Sequence, residues 1–259
     1  MSPSSLKSPP RSARSAEQTR AAILQAALHE FASQGVAGAR TDAIARAAKV
    51  NKALLYYYFK DKEALYGAVI DQVFSGLMET LDGVLALPVA PGEKLLRCVG
   101  AHFDFASSSP MLPRLMQHEM LRAGLQASPH LKHIAQTYFR PTFGRLAAVL
   151  VEGVRAGEFR NLDPAQTIPS MIGVVVHYFS SLPVITAVLE GDPLTPERLA
   201  RRRAAVLDFV AAAIFRDPAR AQEMLQRVGV PLQAGAVQAG AAFDELRPGS
   251  APAQLGEKR

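Results

Sequence analysis

One cysteine, Cys98, in a chain of 259 residues leaves no partner for an internal disulfide and fits a reducing cytoplasm. No apolar run reaches the ~18 residues that a membrane span requires, and no signal-peptide segment is present. A soluble, cytoplasmic protein with no membrane partner is expected. Strand-like alternation persists nowhere, and no repeat with a period of tens of residues is visible, so the fold should be all-α. Signatures of enzymes are also missing. There is no phosphate-cradling glycine loop, no nucleophile elbow and no Cys/His pair at a recognisable spacing, so neither a catalytic residue nor a cofactor is assigned. His118 and Glu119 are adjacent and diverge on a helix, while His130 and His133 share a face without a third ligand, so no metal site is assigned either.

Charge is present, but unevenly. The first 67 residues hold ten Lys/Arg against five Asp/Glu, whereas the remainder holds 19 against 18. A positive field confined to one end is the footprint of a nucleic-acid partner. Within that end, Thr41 to Lys62 reads TDAIARAAKVNKALLYYYFKDK. Thr41 is a candidate cap for a short helix over Asp42 to Ala48, with Ile44 and Ala48 on one face. Asn51 is a candidate cap for a second helix over Lys52 to Phe59, in which Leu55 and Phe59 fall together and Ala53, Leu54 and Tyr57 point the other way. Three adjacent tyrosines, Tyr56 to Tyr58, cannot all face one core, because consecutive helical residues diverge by ~100°. At least one is displayed, although an aromatic run on a helix is more often core. Asp61 should cap the next helix, with Lys62 at its first position, where a cation and a positive dipole end together suit a phosphate.

These residues resemble the TetR family of bacterial transcriptional repressors. Phe31, Gly35, Thr41, Ile44, Ala45, Ala48, Val50, Leu55, Tyr56, Phe59, Lys62 and Leu65 stand in that family's register, over roughly residues 17 to 67. The resemblance implies that Thr41, Lys52, Ala53, Leu54, Tyr56, Tyr57, Tyr58 and Lys62 touch a double-stranded DNA operator. Two residues depart from the pattern. Lys49 stands where the family usually has the glycine of the turn, which calls for a left-handed backbone at ~1 kcal/mol or more. Leu54 stands where a polar residue is common, offering a thymine methyl contact in place of hydrogen bonds to bases.

Around this stretch the chain divides into four parts. Residues 1–16 carry six serines, three prolines and three basic residues without an acid, and are expected to be a disordered basic arm. Residues 17–67 form the helix-turn-helix domain, opened by a bracing helix from Thr19 to Gln34 that Gly35 stops. Residues 68–228 form a larger helical domain, reached through a long amphipathic helix from Asp61 to about Leu85. Further helices are expected over Glu93 to Ala106, Leu112 to Ala123 and Pro129 to Ala156, the last broken or kinked at Pro141. Asp163-Pro164, Thr195-Pro196 and Asp217-Pro218 should open helices to about Leu189, Phe215 and Val228. Residues 229–259 should be mostly disordered.

The helices from Pro164 and Pro196 are apolar over wide arcs, including Ile168, Met171, Ile172, Val175, Phe179, Val206, Leu207, Val210 and Ile214. That suits helix-on-helix dimerisation, and the resemblance implies a homodimer built as a four-helix bundle; an entirely intramolecular core would use the same residues. The resemblance also implies a pocket for an unknown small-molecule effector, for which Phe103, Arg114, Met116, Met120, Tyr138, Phe143 and His177 are candidates. Their composition suits a helical cavity with a few polar groups and suits an ordinary core equally. The expected function is a DNA-binding repressor released by an effector. A helical ligand-binding enzyme and an architectural DNA protein without an effector are the alternatives.

Overall fold

The computed structural model describes residues 11–109, 111–123 and 128–229. The expected disorder of residues 1–10 and of nearly all of the 229–259 tail therefore lies outside the described residues. Helix α1 (Arg11–Gly38) begins upstream of Thr19, so residues 11–16 of the expected arm are helical. It is interrupted where expected, because Gly35 adopts φ 64, ψ 172, a conformation open to a residue without a Cβ. Then follow α2 (Thr41–Ala47), α3 (Lys52–Tyr58) and the long α4 (Lys62–Leu85). Asn51 Oδ1 accepts from the Leu54 N–H and Asp61 Oδ1 from the Ala64 N–H, both at 2.7 Å, so both expected caps hold. Thr41 does not cap α2. Extended Arg40 is the residue before the helix, which puts Thr41 inside its first turn with its hydroxyl turned elsewhere.

Downstream lie α5 (Pro91–Ser108), α6 (Met111–Ala123), α7 (Pro129–Ile134) and α8 (Arg140–Arg155). The break expected at Pro141 is instead a π-helical turn over Ala135–Phe139. Proline has no N–H to offer the preceding turn, and the chain widens so that the Arg140 N–H reaches the Ala135 carbonyl. After α9 (Pro164–Ser180) the helix expected to continue to Leu189 breaks at Ser181, and α10 (Leu182–Leu189) leaves at 70°. Pro183 cannot bond back to the Phe179 carbonyl, which accounts for the break. Helices α11 (Pro196–Ile214) and α12 (Pro218–Arg227) are the last among the described residues, opened by Thr195 and Asp217 as caps. No single helix among the described residues is long and apolar enough to cross a membrane.

Two hydrophobic cores result. The first gathers Ile23, Phe31, Ile44, Leu55, Leu65, Tyr66 and Phe74 from α1 to α4, and also takes Leu112, Leu115 and Ile134 from α6 and α7. It therefore reaches beyond residue 67. The second gathers Leu96, Phe103, Leu150, Val175, Val206 and Met224, together with Cys98, whose thiol burial pushes up to about 12. Helix α4 belongs to both, with Leu65 to Phe74 in one and Leu77 to Leu85 in the other.

Within the first core α6 crosses α1. A Cβ on Gly35 would lie 3.1 Å from His118 Nδ1, so the positive-φ glycine also permits close approach. Beside it the buried Glu119 accepts a hydrogen bond from the Tyr66 hydroxyl at 2.8 Å and another from the Ser128 hydroxyl. Burial first, and then Glu119, raise the Tyr66 pKa, so this phenol stays a neutral donor.

Candidate nucleic-acid interface

Helices α2 and α3 are joined by a turn at Ala48–Val50 in which Lys49 has φ 57, the left-handed conformation expected of the residue that replaces glycine. Leu55 and Phe59 fasten α3 from behind and are buried. Arg20 of α1 lies over the Phe59 ring at 5.3 Å, adding a cation–π contact. With that side anchored, the helical rotation turns Ala53 and Tyr57 to solvent and leaves Leu54 half-buried; Tyr57 is 81% exposed. The bland reading of the tyrosine run is thereby divided. Tyr58 packs partly on the first core, with its ring edge-on to Tyr57, while Tyr57 itself is displayed.

The remaining expected contacts are engaged within the protein. Lys52 Nζ pairs with Asp42 Oδ1 at 2.9 Å. That hydrogen bond and charge hold the Asp42 carboxyl below its ordinary range and raise the Lys52 ammonium above its own. The hydroxyls of Thr41 and Tyr56 meet at 3.3 Å. Lys62 Nζ donates to the carbonyls of Ala37 and Ala39, both at 3.3 Å, and so ties the α1–α2 link to the start of α4. These carbonyls lie more than 20 residues from Lys62 in the chain, so the local pattern at Asp61-Lys62 carries no sign of them. Arg40, Arg46, Lys49 and Lys60 are exposed and have no carboxylate partner among the described residues. Arg40 and Arg46 lie outside the positions that the family register implies, and the local excess of positive charge is the signal for them.

The candidate effector residues are not gathered at one place. Met116 and Tyr138 pack on the first core, and Tyr138 stacks on Phe74 at 5.7 Å while donating to Asp71 at 2.7 Å. Phe103 is buried in the second core against Phe179, at 5.3 Å between ring centroids, and Phe143 packs on the same core. Arg114, Met120 and His177 are exposed. Arg114 forms no ion pair with Glu119, whose carboxylate is turned inward to Tyr66 and Ser128. Two clefts among the described residues are lined by none of these candidates. One of about 430 Å³ lies between α1 and α4, lined by Arg20, Leu24, Asp71 and Gln72. The other, of about 230 Å³, lies between α9 and α11, lined by Met171, Val174, Phe209 and Val210.

Two short helices around a tight turn, the second anchored behind and displayed in front within a basic surface, define a helix-turn-helix DNA-binding protein. The comparisons narrow that class. Residues 23–69 match the bacterial regulatory proteins of the tetR family, and residues 91–210 match a tetracyclin repressor-like C-terminal domain. The chain is 30% identical over 179 residues to the HTH-type transcriptional repressor SCO4008 of Streptomyces coelicolor, covering 69% of this chain and 87% of that one. Among solved structures it resembles the transcriptional regulator SCO4942 of the same organism, with 28% identity and a TM-score of 0.57 over 77% of this chain and 99% of that one. It also shares the fold of FadR from Bacillus subtilis, solved in complex with stearoyl-CoA, at 20% identity and a TM-score of 0.58 over 73% and 96% of the two chains. The chain belongs to the TetR family and is a DNA-binding transcriptional regulator.

Proposed function

We propose that this regulator is a cytoplasmic homodimeric repressor that holds a near-palindromic operator until a small, mostly apolar molecule releases it. The observation that carries the reading is α3 itself, whose displayed face is backed by Leu55 and Phe59 and so is held rigidly against its support. Residues 17–67 would serve as the reading head and 68–228 as the effector and dimer domain. In a two-fold dimer the two α3 helices would enter major grooves about 34–36 Å apart, one helical turn of DNA or a little more.

The dimer rests on a division within the apolar arcs. Ile168, Val175, Phe179, Val206, Leu207, Val210 and Ile214 are buried within one chain, whereas Ile172, Val184, Val188 and Phe209 are exposed. Phe209, 60% exposed, stands at the rim of the α9–α11 cleft, and a second copy would supply complementary knobs for it. Release by an effector draws on the likeness in fold to a regulator bound to stearoyl-CoA. A ligand that favours one setting of α4 would alter the separation of the heads and lower operator affinity.

Selection of binding sites from random duplex DNA, combined with light scattering, tests the reading. An enriched inverted repeat bound by a dimer is expected. Failure to enrich any sequence, or a monomer mass at micromolar concentration, overturns it. For the effector, an acyl-CoA and lipid panel should contain a molecule that stabilises the fold by ~2.7 kcal/mol at 100 times its dissociation constant and weakens operator binding. Stabilisers that all leave DNA affinity unchanged would remove the switch.

A further inference from the structure

We propose that the operator half-site is read chiefly through the 5-methyl groups of thymines, by Ala53, Leu54 and Tyr57, while contacts to α2 keep Lys52 and Tyr56 away from base edges. This rests on the DNA-reading role just proposed and specifies what the reading head recognises. The polar groups at the start of α3 are already committed. Lys52 Nζ is 2.9 Å from Asp42, and the Tyr56 hydroxyl is 3.3 Å from that of Thr41. The Asn51 side-chain oxygen accepts from the Leu54 N–H, which fixes that side chain as the cap of α3.

The uncommitted side chains are different in kind. Ala53, Leu54 and Tyr57 occupy i, i+1 and i+4 on the solvent side of α3, and only the phenol of Tyr57 offers a hydrogen-bonding group. In the major groove, guanine, adenine and cytosine present donors and acceptors, and thymine presents a methyl group as well. An apolar face set against that groove gains from thymine and gains nothing specific from the other bases. It also leaves unmet whatever polar base edge it covers, which disfavours G·C pairs at the covered steps. Asp42 takes part indirectly, as a positioning residue. Its carboxylate reserves the Lys52 ammonium, which would otherwise be free to fork onto a guanine or settle on a phosphate.

The test uses the full chain and the operator obtained by selection, with each thymine replaced in turn by deoxyuracil. This removes the methyl and leaves pairing and the hydrogen-bonding edge intact. At one or two positions per half-site binding should weaken about fourfold, the equivalent of one buried methyl. Leu54→Ala should abolish that sensitivity at one of those positions, which separates methyl contact from any change in duplex shape. Asp42→Asn should tighten binding to operator and random DNA alike and steepen the salt dependence by ~1. Binding that tolerates uracil at every position, or that in Leu54→Ala keeps its uracil sensitivity at every position where the natural chain shows it, overturns the inference and leaves the DNA-reading role standing. Selection that enriches no sequence overturns both.

Discussion

The core around Phe31 and Tyr66 and the core around Phe103 and Val206 are both closed by helices packed on helices, yet they leave different surfaces behind. The first exposes Tyr57 among Arg40, Arg46, Lys49 and Lys60. The second exposes Ile172, Val184, Val188 and Phe209. The stretch from Tyr178 to Leu189 that carries Val184 and Val188 holds no charged residue, while Phe209 has Asp208 beside it and Arg160 across its cleft. Exposed aromatic surface set among cations suits a polyanion, because the charges supply affinity and the side chains between them supply discrimination. Exposed apolar surface without charge suits another protein surface, in which burial supplies the affinity. Hydrophobicity alone does not separate the two partners. The charges around it do.

The largest effect should come from a pair of substitutions that separates core from face within the second region. Val175 is fully buried, and Val175→Arg would place an unpaired charge there at about 3–5 kcal/mol. Phe209→Arg puts the same charge on the surface. Circular dichroism should show lost helicity and a collapsed melting temperature for Val175→Arg, whereas Phe209→Arg should keep its helicity and lose only dimer mass. If Phe209→Arg remains a dimer, the apolar face of the second core has been assigned to the wrong partner.

A smaller effect is expected within the first core, where Tyr66 of α4 meets Glu119 of α6. Tyr66→Phe removes a donor from the buried Glu119 carboxylate and should cost about 1.5–3 kcal/mol, because a hydrogen bond to a charged group is lost without replacement. Glu119→Gln should cost less: Tyr66 and Ser128 donate to different carboxylate oxygens, so the amide oxygen keeps one of them and the other hydroxyl can turn to accept from the amide N–H. If the contact sets the attitude of the head as well as its stability, Tyr66→Phe should also loosen preference for the operator's half-site spacing, measured on duplexes with one base pair inserted or removed at the centre. Lost stability with unchanged spacing preference would make Tyr66 a packing residue only.

The same comparison shows which features were legible in the sequence. Caps at Asn51 and Asp61, the stop at Gly35 and the turn at Lys49 depend on chemistry within a few residues, and the chain alone displays them. The family register adds the rest of the reading head. What escaped depends on distance. Thr41 fails as a cap because the helix begins one residue sooner than the pattern suggests, and Lys62 is held by carbonyls of the α1–α2 link. The break at Ser181 and the π turn before Pro141 show that proline marks a disturbance without fixing whether the helix snaps or widens. Periodicity likewise marks Phe103, Met116, Tyr138 and Phe143 as apolar and inward. Which core each joins, and whether a cavity opens beside it, is decided by helices far along the chain.

The smallest expected effect concerns Lys49, one of the two positions at which this reading head departs from the family pattern. Its φ of 57 puts a Cβ-bearing residue in left-handed backbone, at a strain that glycine would not carry. Lys49→Gly should therefore stabilise the protein by about 0.5–1 kcal/mol, the relief of strain exceeding the extra entropy that glycine gives the unfolded chain. Lys49→Ala keeps the strain and so should leave stability nearly unchanged. Both variants lose the same charge. If Lys49 meets a phosphate, both should lower the salt slope of DNA binding by ~1 and weaken operator and random DNA by similar factors. A stability gain in Lys49→Gly with an unaltered salt slope in both variants would make the lysine a strained turn residue without a DNA contact. Equal stability of the two variants would instead show that the left-handed turn carries no measurable strain, and a lowered salt slope in both would then leave phosphate attraction as the contribution of this lysine.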